Sequence, residues 1–198
     1  GEQGAQHSQA LHAWFAHVPG LRVVMPSTVA DARDLLIASV LCPDPVMYID
    51  DRWLYEQEAD LPPVEELNLT DQHPEITKQG TDVTIIGSSH ASLLAREGAK
   101  LLEQDNIFAE VIDVRVLNPF NIEEILKSVK KTKCFLVVDS GCLSAGFSAE
   151  IITKIVERLP AASLKASPMR IALPDAPAPT SKVLEKEYYL TAADVSNS

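Results

Sequence analysis

The sequence predicts an α/β fold: an open, mostly parallel sheet with helices on both faces, preceded by a smaller α/β unit. Three observations carry this. Short apolar runs of strand length alternate with segments of helical apolar spacing along most of the 198 residues. Pro and Gly punctuate the junctions, as at Pro19-Gly20, Pro43 and Pro45. The alternation is strand, helix, strand, which joins parallel strands through crossover helices.

Each element has its own signal. Leu11, Trp14, Phe15 and Val18 recur at three- and four-residue steps, one apolar face of a helix over 8–17 that Pro19-Gly20 stops. A strand follows over 21–25. Pro26-Ser27-Thr28 opens a helix, with Thr28 and Asp31 at capping-box spacing and Leu35, Leu36, Ile37 and Val40 as its expected buried face. Pro43 and Pro45 end it, and 45–49 is a second strand. Residues 58–78 change character, with Pro62, Pro63 and Pro74 among many acids, and read as a linker between separable domains over 1–57 and 79–198. Beyond the linker, strands over 83–87, 109–114, 135–139 and 170–173 alternate with helices over 92–104, 121–130, 148–158 and 181–188. The 121–130 helix is capped by Asn121 with Glu124 three residues on. No helix is expected over the tail, Val195-Ser196-Asn197-Ser198.

Charge and cysteine use exclude several functions. A net charge of -11 and a pI near 4.8 leave no basic stripe for nucleic acid or anionic lipid. No apolar run approaches the roughly 18 residues of a membrane span. Cys42, Cys134 and Cys142 form no CxxC pair and read as reduced intracellular thiols rather than a zinc or disulfide framework.

Few residues have the pattern of chemistry. His7 stands between Gln6 and Ser8-Gln9, which can orient an imidazole that titrates near neutrality; the competing reading is a capping loop histidine. His12 and His17 follow at five-residue steps and do not share a helical face with it, so no metal site is expected there. The Gly141–Gly146 segment, with Cys142 inside it, is neither a Walker loop nor a GxGxxG and reads as a turn. Asp50 and Asp51 beside Arg52 read as a solvated or interdomain ion pair, and Trp14 and Phe15 as core or subunit interface.

Several pieces also resemble a known family. They are Gly4-Ala5-Gln6-His7-Ser8-Gln9, Pro19-Gly20-Leu21-Arg22-Val23-Val24-Met25-Pro26, Pro45-Val46 and Leu54-Tyr55 in the first part. In the second they are Glu110-Val111-Ile112-Asp113-Val114-Arg115-Val116-Leu117-Asn118-Pro119, Ser128-Val129-Lys130-Lys131-Thr132, Gly146-Phe147-Ser148-Ala149-Glu150-Ile151 and Pro174-Asp175-Ala176-Pro177-Ala178-Pro179. In this order the chain resembles the carboxy-terminal part of a beta subunit of thiamine-diphosphate-dependent 2-oxoacid dehydrogenases, in the transketolase-like superfamily. The resemblance makes 1–57 the end of a pyrimidine-binding domain and 79–198 a transketolase carboxy-terminal domain.

The resemblance implies a parent that decarboxylates a 2-oxoacid with thiamine diphosphate and magnesium and passes the acyl unit to a lipoyl carrier. His7 matches the histidine that lines the family's active-site channel. Ser39, Val40, Cys42 and Asp44 match a stretch where relatives hold potassium, although Cys42 replaces the usual Asp and a helix-end turn is the alternative. Asp139 stands where many relatives carry Glu. The implied partners are an alpha subunit, a second beta subunit and a lipoyl acyltransferase core. The glutamate that activates the cofactor and the diphosphate site belong to other segments of the family's enzymes, so the expectation is a fragment with no cofactor and no activity alone. The expected compartment is a bacterial cytoplasm in preference to a mitochondrial matrix. A non-catalytic association or regulatory domain, and a fragment of a transketolase or deoxyxylulose-phosphate synthase, remain as alternatives.

Overall fold

The computed structural model describes residues 3–198; Gly1 and Glu2, the first residues of the expected 1–57 unit, lie outside them. Two sheets organise the chain. The smaller one has three strands, β1 (Arg22–Val24), β2 (Val46–Tyr48) and β6 (Val116–Asn118), in the order β2-β1-β6. β1 runs parallel to β2, with Arg22 opposite Val46, and the helix α3 (Val29–Leu41) joins them, as the spacing predicts. β6 pairs antiparallel to β1 and comes from the second half of the sequence.

The larger sheet has the order β3-β5-β4-β7-β8. β4 (Val83–Gly87), β5 (Ala109–Asp113), β7 (Phe135–Cys142) and β8 (Met169–Leu173) are parallel neighbours, and β3 (Glu75–Lys78) closes one edge antiparallel to β5. Side-chain alternation along these strands builds two cores. Ile86, Ile112, Phe135 and Val137 pack on one face with Ile125 and Val129 of α5 (Glu123–Thr132) and Ile151 and Ile155 of α6 (Phe147–Arg158). Their neighbours Ile85, Val111, Leu136 and Val138 pack on the other face with Ala91, Ala95 and Ala99 of α4 (His90–Leu102) and with Val195. Helices therefore cover both faces.

Val23 and Met25 belong to the first of these cores, so the small sheet is continuous with the body of the larger one. The chain order also fixes where a ligand would sit. From β4 the chain crosses to β5 over one face through α4, then returns to β7 on the other side of β4 through α5. The strand order reverses between β4 and β7, and in open α/β sheets the crevice at the carboxyl ends of such strands is the usual binding place.

The structure departs from expectation in four stretches. The helix expected over 8–17 is reduced to α2 (His12–Ala16), and a separate short helix, α1 (Gly4–His7), precedes it across Ser8–Leu11. On α3, Asp31, Leu35 and Ala38 are buried, whereas Leu36 and Val40 are exposed, because the helix rests on β1, β6 and Leu69 along one narrow stripe. The segment 58–78 ends in β3 and buries Leu69 in the small-sheet core. The tail forms the helix α8 (Ala192–Ser196), with a capping box between Thr191 and Asp194.

Candidate functional site

A cleft of about 310 Å³ lies at this reversal point. His90 and Leu94 line it from the start of α4, Ser140 from β7 and Leu173 from β8. Met25 and Ile49 line it from the small sheet, and residues 7–12 form its rim. Asp50, Asp51, Arg52 and Trp53 follow β2 into the same cleft, and Tyr189 comes from the far end of the chain.

His7 is the last residue of α1 and exposed at that rim. The short helix stands where it does because Gly4 has φ +63°, and a Cβ there would come within 2.6 Å of the Thr180 Cγ2. Only glycine adopts that geometry freely and also fits the gap. Gly4 thereby sets the Gly4–Gln9 motif against the loop that carries Pro174–Pro179, whose Ala178 is buried. Two motifs about 170 residues apart in sequence thus pack together, and the first of them supplies His7, Ser8 and Gln9 to the cleft rim.

The opposite wall is aromatic. Trp53 stacks on His90 with centroids 5.6 Å apart and meets Tyr189 edge-on at 5.8 Å. Burial lowers the His90 pKa, against the opposing pull of Asp51 and Glu97. Asp50 and Asp51 do not pair with Arg52, contrary to expectation. Asp50 accepts from the Tyr55 hydroxyl, Asp51 accepts from the Trp53 N–H at 3.0 Å, and Arg52 donates to Gln3 Oε1 at 2.7 Å. The two carboxylates take partners within the local turn, whereas Arg52 reaches Gln3, 49 residues away in sequence.

Two polar groupings here escape sequence reasoning. His12, 2 % exposed, holds Asp139 through Nε2 at 3.0 Å. Burial raises the Asp139 pKa, but the hydrogen bond and charge of His12 and the backbone N–H groups of Gly141 and Ser148 outweigh it and hold the carboxyl at about 2. Ser148 stands in the first turn of α6, so the anion at that helix end is the protein's own carboxylate. This explains the glycines of the 141–146 turn: a Cβ on Gly146 would lie 2.4 Å from the Cys142 carbonyl oxygen and 3.0 Å from Asp139 Oδ2. The second grouping is Ser27, Asp113 and Arg96, with Arg115 bound to Asp31 at 2.7 Å and to Glu75 at 3.2 Å, along the seam between the sheets. The side-chain pairs His12–Asp139, Ser27–Asp113 and Arg96–Ser27 lie 127, 86 and 69 residues apart, so local spacing carries no trace of them.

Ser39, Val40, Cys42 and Asp44 lie away from the cleft, at the end of α3 and the turn beyond it. Ser39 Oγ donates to the Leu35 carbonyl at 2.6 Å, and the Asp44 carboxylate is bound to Arg22 Nε at 2.8 Å. Cys42 offers a thiol and the Asp44 carboxylate is already held by a guanidinium, so these two side chains make poor potassium ligands. Among the described residues no group of three or more His, Cys, Asp or Glu could hold a metal ion. His17 lines a separate groove beside Trp14, which is exposed, and not the cleft.

Residues 73–195 match the family model of the transketolase C-terminal domain, and residues 1–57 that of the transketolase pyrimidine binding domain. The chain is 35% identical over 191 residues to the pyruvate dehydrogenase E1 component subunit beta of Rhizobium meliloti (strain 1021), covering 96% of this chain and 41% of the relative. It is 38% identical over 164 residues to the subunit of the same name from Acholeplasma laidlawii, covering 83% and 50%. To the mitochondrial 2-oxoisovalerate dehydrogenase subunit beta 2 of Arabidopsis thaliana it is 34% identical over 158 residues, covering 80% and 44%. The chain thus spans about half the length of the curated relatives it matches. A solved chain described as a split gene transketolase, inactive beta4 tetramer, superposes with a TM-score of 0.76 at 24% identity, covering 94% of this chain and 58% of that one, a likeness of fold. With the cleft at the strand-order reversal and the Gly4–Gln9 motif at its rim, and with these family models and relatives matching most of its length, the chain belongs to the transketolase family, and its homologues include pyruvate dehydrogenase E1 beta subunits.

Proposed function

We propose that the chain is the carboxy-terminal part of the beta subunit of a thiamine-diphosphate-dependent 2-oxoacid dehydrogenase. It lends His7 and the cleft around it to an active site that other chains complete. The observation that carries this reading is the Gly4–Gln9 motif, seated against the Pro174–Pro179 loop and placing His7 at the rim of the cleft. Thiamine diphosphate, when bound, supplies the carbanion chemistry that splits the oxoacid. The chain's own part is narrower. His7 holds or delivers a proton at its imidazole, with Ser8 and Gln9 beside it on the rim. Met25, Ile49, Leu94 and Leu173 keep the inner wall apolar and exclude water.

Binding of the diphosphate and its magnesium falls to another subunit. A net charge of -11 repels a trianionic ligand, and the described residues hold no carboxylate group for the metal. Arg52 is the one Lys or Arg among the described residues that line the cleft. That supports an oxoacid over the sugar phosphate of a transketolase or deoxyxylulose-phosphate synthase, whose recognition needs several cations. An alpha subunit, a second beta subunit and a lipoyl acyltransferase core that receives the acyl unit are the proposed partners. The test is calorimetric titration of thiamine diphosphate with magnesium, alongside a decarboxylation assay. The chain alone should show neither binding nor turnover. Joined to the rest of its beta subunit and an alpha subunit, it should turn over, and His7→Ala should slow acyl transfer by about 10²–10⁴. Micromolar binding with turnover by this chain alone would overturn the proposal.

A further inference from the structure

We propose that His12 and Asp139 form a clamp that sets the position of His7, which makes His12 a positioning residue for the cleft. Its bearing on catalysis rests on the functional reading above; the clamp itself does not.

The argument starts from how weakly the rim is held by its own backbone. Between α1 and α2 the chain runs through Ser8–Leu11 without regular structure, and residues 5–11 are exposed or half-buried. Ordering such a segment costs backbone entropy that it does not recover through its own hydrogen bonds, so anchors must fix it. Two anchors bracket His7. On one side Gly4 is wedged against Thr180. On the other, five residues beyond His7, the His12 ring is buried and bonded through Nε2 to Asp139 at 3.0 Å, across 127 residues of sequence.

Asp139 is built as a fixed post. Its Oδ1 accepts from the Gly141 N–H at 2.9 Å and its Oδ2 from the Ser148 N–H at 2.8 Å, so backbone from β7 and α6 fixes both oxygens before His12 arrives. The strand places it toward the carboxyl end of the sheet, next to Ser140, which lines the cleft. The space for the ring is also prepared, since a Cβ on Gly141 would come within 3.2 Å of His12 Cε1. The carboxylate can only accept, so the bonded Nε2 carries the proton. The other ring nitrogen, Nδ1, is buried with no partner among the described residues. A ring held at one nitrogen alone, against a carboxylate that is itself pinned twice, points to orientation rather than proton relay.

The experiment uses the full 198-residue chain and segment-resolved hydrogen exchange. His12→Leu removes the bond while filling the space; His12→Gln returns an N–H to the position of Nε2. In His12→Leu the amides of residues 5–16 should exchange at least about tenfold faster, while those of β4 and β5 keep their wild-type rates. His12→Gln should restore most of the protection. Unchanged exchange over 5–16 in His12→Leu would overturn the clamp. So would equal acceleration in the core strands, or equal acceleration in the leucine and glutamine variants. The second arm uses the assembled enzyme. There His12→Leu should lower kcat by about tenfold to a hundredfold with KM little changed, and should add nothing in a His7→Ala background. Additive losses would overturn the assignment of His12 as acting through His7. Activity that ignores His7→Ala would instead defeat the functional reading, and the exchange arm would still decide the clamp.

Discussion

At the scale of single residues, the buried carboxylates Asp113 and Asp139 respond to pH in opposite ways. Burial pushes the Asp113 carboxyl up to about 7, with Asp31 adding to the rise against the Ser27 hydrogen bond and the charges of Arg96 and Arg115. A group raised in the folded state stabilises fully below its ordinary value of 3.8, and that contribution is lost as pH rises through about 7. Asp139, held at about 2, behaves the other way: its contribution is present above 3.8 and is lost as pH falls toward 2. Urea unfolding at pH 3, 5 and 8 separates them. Asp113→Asn should remove the decline between pH 5 and 8 and be more stable than wild type at pH 8, on the order of 2–4 kcal/mol. A wild-type stability that does not fall over that range would contradict this placement of Asp113. Asp139 stood out in the sequence only as a departure from the family's usual Glu, with nothing to show its partner His12. Asp113 sits inside a motif that supports the family resemblance, but its partner Ser27 lies 86 residues away. His7 was legible because its neighbours in sequence carry the motif. His12 was visible as a histidine, but its partner was not.

At the scale of elements, the parallel strands and their crossover helices were legible because each buries one face with its own period. The misread elements are those whose signal is weak or whose surroundings decide the outcome. β3 and β6 are short, and each owes its existence to a partner strand from elsewhere in the chain. On α3 an apolar run gave no means of choosing between Leu35, which is buried, and Leu36, which is not. The tail did carry a local signal, Thr191 three residues before Asp194, that the polar run after Val195 obscured. α8 docks through Val195, which lies over Gly98 of α4: a Cβ at Gly98 would approach Val195 Cγ1 to 2.6 Å. Thr191→Ala should therefore cost about 1 kcal/mol through the lost cap. Gly98→Ala should cost about 1–3 kcal/mol through overpacking, despite alanine's better helix propensity. Thermal unfolding of both variants checks this, and a stabilised Gly98→Ala would mean that α8 does not rest on α4.

At the scale of the whole molecule, the composition of the 58–78 segment invites a picture of two bodies on a tether, but the packing ties them together. β1 pairs with β6, and Val23 and Met25 share a core with Ile86, Ile112 and Leu117. His12 with Asp139, Ser27 with Asp113 and Asp31 with Arg115 add three polar ties across the same seam. Residues 55–66, in contrast, are mostly exposed and carry no helix or strand, which makes them the preferred site for a protease. Limited proteolysis should cut there first, before any bond within β5 or β7, whose residues are almost all buried. The two products should then co-elute as one particle in gel filtration at pH 6 and separate only in denaturant, because cutting a loop leaves the shared core and sheet intact. Raising the pH through about 7 ionises the buried Asp113 at the seam, so the nicked particle should dissociate more readily at pH 8 than at pH 6. Products that separate at once at pH 6 would show that the seam contributes little and that the two sequence units fold independently.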